Sequence, residues 1–229
     1  MNISLRLKTI GLLVDKCEKI CDIGTDHAYL PIYLIEKNIC NNAIASDINK
    51  GPVEKAKSNI KKQGLSDKIT CRLGGGLKTI KPNEVDVAII AGMGGNLIRD
   101  IIEESKDVFK RLDYCILQPV QNPDILRKYI YESGYDILDE ELCIDEGKYY
   151  EIIKIKYNNK CEKVEDVYYE VGKKLIDKKH PLIKDYINFK IDKYKNIVKY
   201  IKDDTELASI RKSELNNNII KLEELIKCL

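Results

Sequence analysis

Lys19 to Pro31 (KICDIGTDHAYLP) restricts what this chain can fold into more than any other stretch. Ile20, Cys21 and Ile23 suit a buried parallel strand, and Asp22 falls near its carboxyl end. Gly24 permits the close backbone approach or positive φ that a side chain would obstruct. Pro31 is tolerated only in the first turn of a helix, so the spacing predicts a helix beginning near Ala28 to Leu30, with Thr25 or Asp26 capping its open N–H groups. A strand that ends in an acid and a glycine and runs straight into a helix makes a nucleotide pocket at the end of a sheet.

The pocket is not built for a dinucleotide. Gly24 is the one glycine between Asp22 and Tyr29, so the G-x-G-x-x-G fingerprint is missing and a pyrophosphate finds no close seat on this backbone. S-adenosylmethionine suits it better, because that ligand carries no phosphate and its cationic amino-acid end and sulfonium favour carboxylates such as Asp22 and Asp26. Taken alone, a D-x-G strand end is equally an ordinary turn, and the rest of the chain must decide.

Ser4 to Asp15 predicts a first helix with Leu5, Ile10, Leu12, Leu13 and Val14 on its apolar side, leaving Arg6 and Lys8 to face a ligand or solvent. The helix after the pocket runs to Ile39. Ala43 to Ile48 is a second strand, and its Asp47 lies at the distance from Gly24 expected of an acid that accepts from ribose hydroxyls. Gly51 and Pro52 open a helix over about Val53 to Gln63, closed by Gly64; a third strand, Lys68 to Leu73, then meets the loop Gly74 to Gly76, against which a flat adenine can lie. Val85 to Ile90 is the expected central strand. Ala91-Gly92-Met93-Gly94-Gly95 after it reads as a second glycine turn facing the same crevice. Tyr114 to Leu117 is a fifth strand ending in Gln118-Pro119, and Pro123 to Ser133 is a helix closed by Gly134. Ile137 to Ile144 and Tyr149 to Tyr157 form a hairpin turning at Gly147. Seven strands ending in a hairpin is the layout of the class I methyltransferase sheet, a Rossmann-like α/β fold.

From Cys161 onward the pattern is helical, predicting a second domain over 161–229 after a first over 1–160. Val164, Tyr168, Val171 and Leu175 mark one helix that Pro181 stops. A second carries Ile187, Ile191, Tyr194, Val198 and Ile201; a third, after an Asp203-Asp204-Thr205 cap, carries Leu215, Ile219, Leu222, Ile226 and Leu229. Their spacing predicts an antiparallel helical hairpin or coiled coil. Lys184, Lys190, Lys193, Lys195, Lys199 and Lys202 lie along the second helix, with Lys173, Lys174, Lys178 and Lys179 ahead of it, a partly basic surface suited to RNA backbone.

Composition narrows the partners. The formal net charge is +2, from 39 basic and 37 acidic residues, so any basic face must come from segregation. No run of eighteen apolar residues and no signal-peptide core are seen, and a cytoplasmic protein with no membrane partner is expected. The eight cysteines form no C-x-x-C pair and lie mostly in apolar runs, as reduced core residues do. With His27 and His180 as the two histidines, no metal site is expected. The oligomeric state is left open.

Taken in order, DIGTDHAYLP, an acid before Gly51-Pro52, a glycine loop ending in Gly76-Leu77, AGMGG and LQP resemble the bacterial tRNA adenine-N1 methyltransferases of the TrmK family, over both regions. The resemblance implies a class I methyltransferase domain joined to a helical coiled coil, tRNA as partner, and S-adenosylmethionine-dependent methylation of N1 of the adenosine at position 22. It implies cofactor contacts by Asp22, Gly24, Asp26, His27, Ala28 and Tyr29, by Asp47 and Ile48, by Gly74, Gly75, Gly76 and Leu77, and by Gly92. The target base is expected near Gly92, Met93, Gly94 and Gly95, with Arg6, His27, Tyr29, Gln118 and Pro119 also on the substrate side. One departure stands out: Gly75 occupies a position where the family commonly has an acid to receive the adenine amine.

Adenine N1 has an in-plane lone pair and needs no deprotonation, while the methylated base is cationic. The protein's work is then alignment, desolvation and negative charge nearby. Asp26 is the candidate for that charge, Gly92, Met93 and Gly94 leave room for a flipped base, and His27 and Tyr29 shape the pocket. Two other classes use the same elements. An NAD-linked oxidoreductase would share the sheet and Asp47, and a non-catalytic RNA-binding or scaffold protein would keep a vestigial pocket. Methyl transfer to tRNA, NAD binding, or neither separates the three.

Overall fold

The computed structural model describes residues 3–201 and 205–229; Lys202 and the Asp203-Asp204 part of the expected cap lie outside the described residues. The chain divides into two compact units, the first ending at Val164 and the second beginning at Glu165. In the first, α1 (Leu5–Leu12), β1 (Cys17–Ile23), α2 (Tyr29–Glu36), β2 (Cys40–Asp47), α3 (Lys50–Lys62) and β3 (Ile69–Leu73) lead to a short 3-10 turn at Gly76–Thr79. Then come β4 (Val87–Gly94), α4 (Gly95–Glu104), α5 (Lys106–Phe109), β5 (Tyr114–Gln121), α6 (Pro123–Glu132), β6 (Tyr135–Asp145) and β7 (Lys148–Tyr157).

Among the described residues the strands make one seven-stranded sheet, ordered β3-β2-β1-β4-β5-β7-β6. The first five run parallel, and β7 is antiparallel to both β5 and β6. This is the expected Rossmann-like methyltransferase sheet. β1 and β4 hold its centre because Ile20 to Ile23 and Val87 to Ile90 are buried at every position, as strands covered on both faces must be. Ile20, Ala43, Val87 and Ile89 share one core with Ile10, Leu34 and Ile60 from α1, α2 and α3. The alternate residues Cys21, Ile44, Ala88 and Ile90 face the other way and are equally buried, where α4 and α6 contribute Ile98, Ile102, Leu126 and Ile130. Under the hairpin, buried Arg127 on α6 reaches Glu140 on β6 at 2.7 Å and Glu151 on β7 at 2.5 Å.

The second unit holds α7 (Val167–Glu170), α8 (Lys173–Asp177), α9 (Ile183–Tyr200) and α10 (Glu206–Lys227). Ile183, Ile187 and Ile191 of α9 and Leu215, Ile219 and Leu222 of α10 are buried where the two helices pack. Glu170 cross-links the unit: its carboxylate meets Lys190 Nζ at 2.9 Å, accepts from Asn218 Nδ2 at 2.9 Å and accepts from the Tyr194 hydroxyl. Thr205 caps α10 by accepting from Ala208 N at 3.2 Å.

Several expectations fail for identifiable reasons. The first helix stops at Leu12; Leu13 and Val14 are buried beyond it, whereas Leu5 and Leu12 are exposed. AGMGG is not a turn, because β4 continues to Gly94 by pairing Ala91 with Gln118, Met93 with Pro119 and Gly94 with Gln121 across two register shifts. Gly95 then opens α4, an element not anticipated. The helix expected through Val164, Val171 and Leu175 is two short ones, since Val171 is extended (φ −134, ψ 125). Its spacing misleads because Val167, Val171 and Leu175 are buried on either side of the break. Lys190 is buried against Glu170 and so leaves the basic surface. The cysteines are all free, but Cys161 and Cys228 are exposed.

Candidate functional site

The carboxyl ends of β1, β2 and β4 meet in one crevice. Gly24 N and Thr25 N both donate to Ser46 O at 2.8 Å, tying the turn after β1 to the end of β2. Gly74 N donates to Asp47 O at 2.9 Å, which draws the glycine loop to the same place. Gly24 has φ +73, and a Cβ there would stand 2.1 Å from Met93 Cε. The left-handed backbone is what favours glycine, since the Met93 methyl is the end of a flexible side chain that can move aside. Met93 thus brings the end of β4 against the turn after β1.

Within this crevice Asp22 is 7% exposed. Burial pushes its carboxyl up to about 6, Asp26 and Asp47 add to the rise, and Thr25 and Arg6 oppose it. The Thr25 hydroxyl is near enough to Asp22 to ease its charge yet meets no partner at hydrogen-bonding geometry. Asp47 Oδ1 accepts from Asn49 N at 2.7 Å, leaving the other carboxylate oxygen for a ligand hydroxyl. Exposed Ile48 lies beside Gly75, where a Cβ would stand 3.3 Å from Ile48 Cδ1. Ala28 and Leu77, expected on the cofactor side, are wholly buried and present no open surface to a ligand.

The segment from Asp26 to Tyr29 has unusual geometry. His27 and Ala28 are consecutive left-handed residues, φ 60 and 57, a conformation costing about 1–2 kcal/mol at each L-residue. Ala28, not Thr25 or Asp26, occupies the N-cap of α2, and no side chain caps it. The two left-handed residues swing the preceding side chains away from the first turn. Asp26 instead points outward, 83% exposed, with Oδ1 3.1 Å from His27 Nε2. The His27 ring stacks on Tyr29 at 5.2 Å and 14°. Asn59 of α3 holds the segment by donating Nδ2 to His27 O at 3.1 Å.

On the side of β5, Gln118 and Pro119 are buried rather than open to a substrate. Gln118 Oε1 accepts from Arg6 Nη1 at 2.7 Å and from Gly92 N at 3.2 Å, and its Nε2 donates to Pro119 O at 2.8 Å. Gly92 is exposed, Met93 and Gly94 are half-buried, and Gly95 is buried. Ser46, Asn59, Asp145 and Tyr150 also shape the crevice. No local signal marks them, because each acts on a segment distant in the chain.

A family model described as tRNA (adenine(22)-N(1))-methyltransferase, TrmK, matches residues 20–224. The chain belongs to this family. The tRNA (adenine(22)-N(1))-methyltransferase of Bacillus subtilis is 39% identical over 153 residues, 67% of this chain and 64% of that enzyme, so the aligned stretch spans less than two thirds of the relative. The crystal structure of the Bacillus subtilis TrmK has a TM-score of 0.87 at 31% identity, covering 98% of this chain and 99% of that one. Sp1610 of Streptococcus pneumoniae, solved with S-adenosyl-L-methionine, gives 0.87 at 30% identity over 98% of this chain and all (100%) of that one. TrmK of M. capricolum, solved with S-adenosyl-homocysteine, gives a TM-score of 0.84 at 30% identity over 98% of both chains. S-adenosyl-L-methionine is thus the cofactor of the TrmK family, which is a family of enzymes.

Proposed function

We propose that this protein transfers a methyl group from S-adenosyl-L-methionine to N1 of the adenosine at position 22 of tRNA. The observation that carries this reading is the meeting of Asp22 and Asp47 at adjoining strand ends around a turn with one glycine, Gly24. That donor set fits the cofactor: two carboxylates for a cationic ligand with a ribose, and no glycine-lined seat for a pyrophosphate. Family membership and this turn favour methyl transfer over an NAD-linked oxidoreductase or a non-catalytic scaffold.

In this reading Asp47 accepts from the ribose, Asp22 answers the cationic amino-acid end, and Gly24, Gly74, Gly75 and Gly76 let the ligand approach main chain. Ile48 covers the adenine. When bound, S-adenosyl-L-methionine supplies an electrophilic methyl group on a sulfonium, and the transfer leaves a cationic N1-methyladenine. Gly92, Met93 and Gly94 give the flipped base room beside backbone carbonyls, and the stacked His27 and Tyr29 rings offer it a flat wall. Asp26 contributes negative charge from the rim; its exposure limits the size of that contribution.

We assign the cofactor and the reaction to residues 1–160, and contact with the tRNA body to residues 161–229. Lys184, Lys193 and Lys199, all exposed on α9, suit RNA phosphates, while Lys195 pairs with Glu223 at 2.7 Å. The reaction belongs in the cytoplasm, where tRNA is handled. Incubation with S-adenosyl-L-methionine and tRNA unmodified at position 22, followed by nucleoside analysis, is expected to yield N1-methyladenosine that disappears when A22 is replaced by G. Absence of methyl transfer by the folded protein would reject the assignment.

A further inference from the structure

Gln118 is fully buried, yet its side-chain oxygen serves the rim of the crevice, while its Nε2 donates to the neighbouring Pro119 O. Its oxygen joins two donors that come from distant segments, the Arg6 guanidinium on α1 and the Gly92 amide near the end of β4. Arg6 is further located by its own backbone N–H, which donates to Asp145 Oδ2 at 3.1 Å, and by the Tyr150 ring, whose centroid lies 5.5 Å from the guanidinium carbon. Arg6 Nη1 would stand 3.8 Å from a Cβ on Gly92, so this cation borders the place proposed for the base. A guanidinium carries five N–H donors in a fixed fork. Gln118 is the one protein acceptor recorded for the Arg6 guanidinium among the described residues, which leaves the rest of the fork for a ligand.

We propose that Arg6 binds a phosphodiester oxygen of the target nucleotide and that Gln118 is the positioning residue that aims it. This rests on the reading of the site as one that methylates a nucleotide within RNA. Charge decides which part of that nucleotide Arg6 takes. The methylated base carries a positive charge, which a guanidinium at the base edge would oppose. A phosphate oxygen neutralises the guanidinium instead, and its planar fork matches phosphate geometry. With Oε1 held between Arg6 and Gly92, the phosphate contact is fixed relative to the backbone that borders the base.

The test uses the full chain, unmodified tRNA and saturating S-adenosylhomocysteine, with tRNA affinity read across a salt series beside methyl transfer. Arg6→Gln is expected to weaken tRNA binding about tenfold at low salt and to make the slope of log K against log salt shallower by about 0.7–0.9, the share of one phosphate contact. Arg6→Lys keeps most of the slope. Cofactor affinity at pH 8 does not fall in Arg6→Gln, since a cation has been removed beside a cationic ligand. Gln118→Leu is expected to reproduce the affinity loss, and Arg6→Gln with Gln118→Leu to lose no more than either alone. A wild-type slope and affinity in Arg6→Gln, with methyl transfer intact in the unaltered protein, overturns the phosphate contact alone. Additive losses in the double variant overturn the positioning role. If Gln118→Leu does not fold, the Arg6→Gln slope decides the phosphate contact, and Gln118→Asn, which withdraws the acceptor from Arg6 without adding charge, decides positioning: lost affinity supports it and retained affinity rejects it. Absence of methyl transfer by the unaltered protein overturns the proposed function instead.

Discussion

Asp22 carries its proton until about pH 6 because burial disfavours its charge, and a cationic ligand that needs the carboxylate must displace that proton. Affinity for S-adenosyl-L-methionine is therefore expected to fall about tenfold per pH unit below 6 and to level off above 7. Calorimetry between pH 5 and 8 reads this directly, and a flat profile would take Asp22 out of the contact. The stability effect has its own sign: the folded state holds the proton more tightly than the unfolded chain, so the contribution of Asp22 falls as pH rises from about 4 to about 6. At Gly75 the backbone is ordinary (φ −88, ψ 136), and an added side chain meets only the flexible end of Ile48. Gly75→Asp is expected to tighten cofactor binding by about 1 kcal/mol through the adenine amine, and unchanged affinity in a folded variant would place the adenine elsewhere. Asp22, Gly24 and Asp47 were readable in the sequence because strand ends and glycine turns are local patterns. The left-handed pair His27 and Ala28 was not, since neither residue type asks for that conformation. Nor was the bond between Arg6 and Gln118, which joins residues far apart in the chain.

At the scale of elements, the join between β4 and α4 depends on one close approach. A Cβ on Gly95 would stand 2.3 Å from the Asn122 carbonyl oxygen, a backbone atom at the start of α6, whereas one on Gly94 meets nothing within 4 Å. Gly95→Ala is expected to cost about 1–3 kcal/mol of stability, the usual range for forcing extra volume into a packed place. Gly94→Ala should leave thermal unfolding nearly unchanged. Equal midpoints for the two variants would contradict the packing described. The sheet and its hairpin were legible because apolar runs, alternation and turn residues agree there. The AGMGG segment was not, because its glycines imitate a turn while their backbone pairs with β5 through Gln121. The break at Val171 escaped for the opposite reason, as burial spacing continues across it.

At the scale of the whole molecule, the proposed reading gives the cofactor to the first of two compact units and the tRNA body to the second, so those two contacts can be altered separately. Replacing exposed Lys184, Lys193 and Lys199 together by Glu is expected to lower tRNA affinity by at least about tenfold and to flatten its salt dependence. Binding of S-adenosyl-L-methionine should not change; intact tRNA methylation would make α9 a structural element. The sheet of the first unit, meanwhile, is closed out of birth order. β6 leaves the ribosome before β7, yet β7 takes the place beside β5. Cys115 waits for Ile155, about 40 residues later, which at ordinary synthesis rates is roughly 2–8 s. If the first five strands pair as they emerge, Cys115 to Leu117 form an open edge for those seconds, and β6, made first, must stay off it. Where pairing begins during synthesis, the tempo of translation through that interval sets how long the edge stays open.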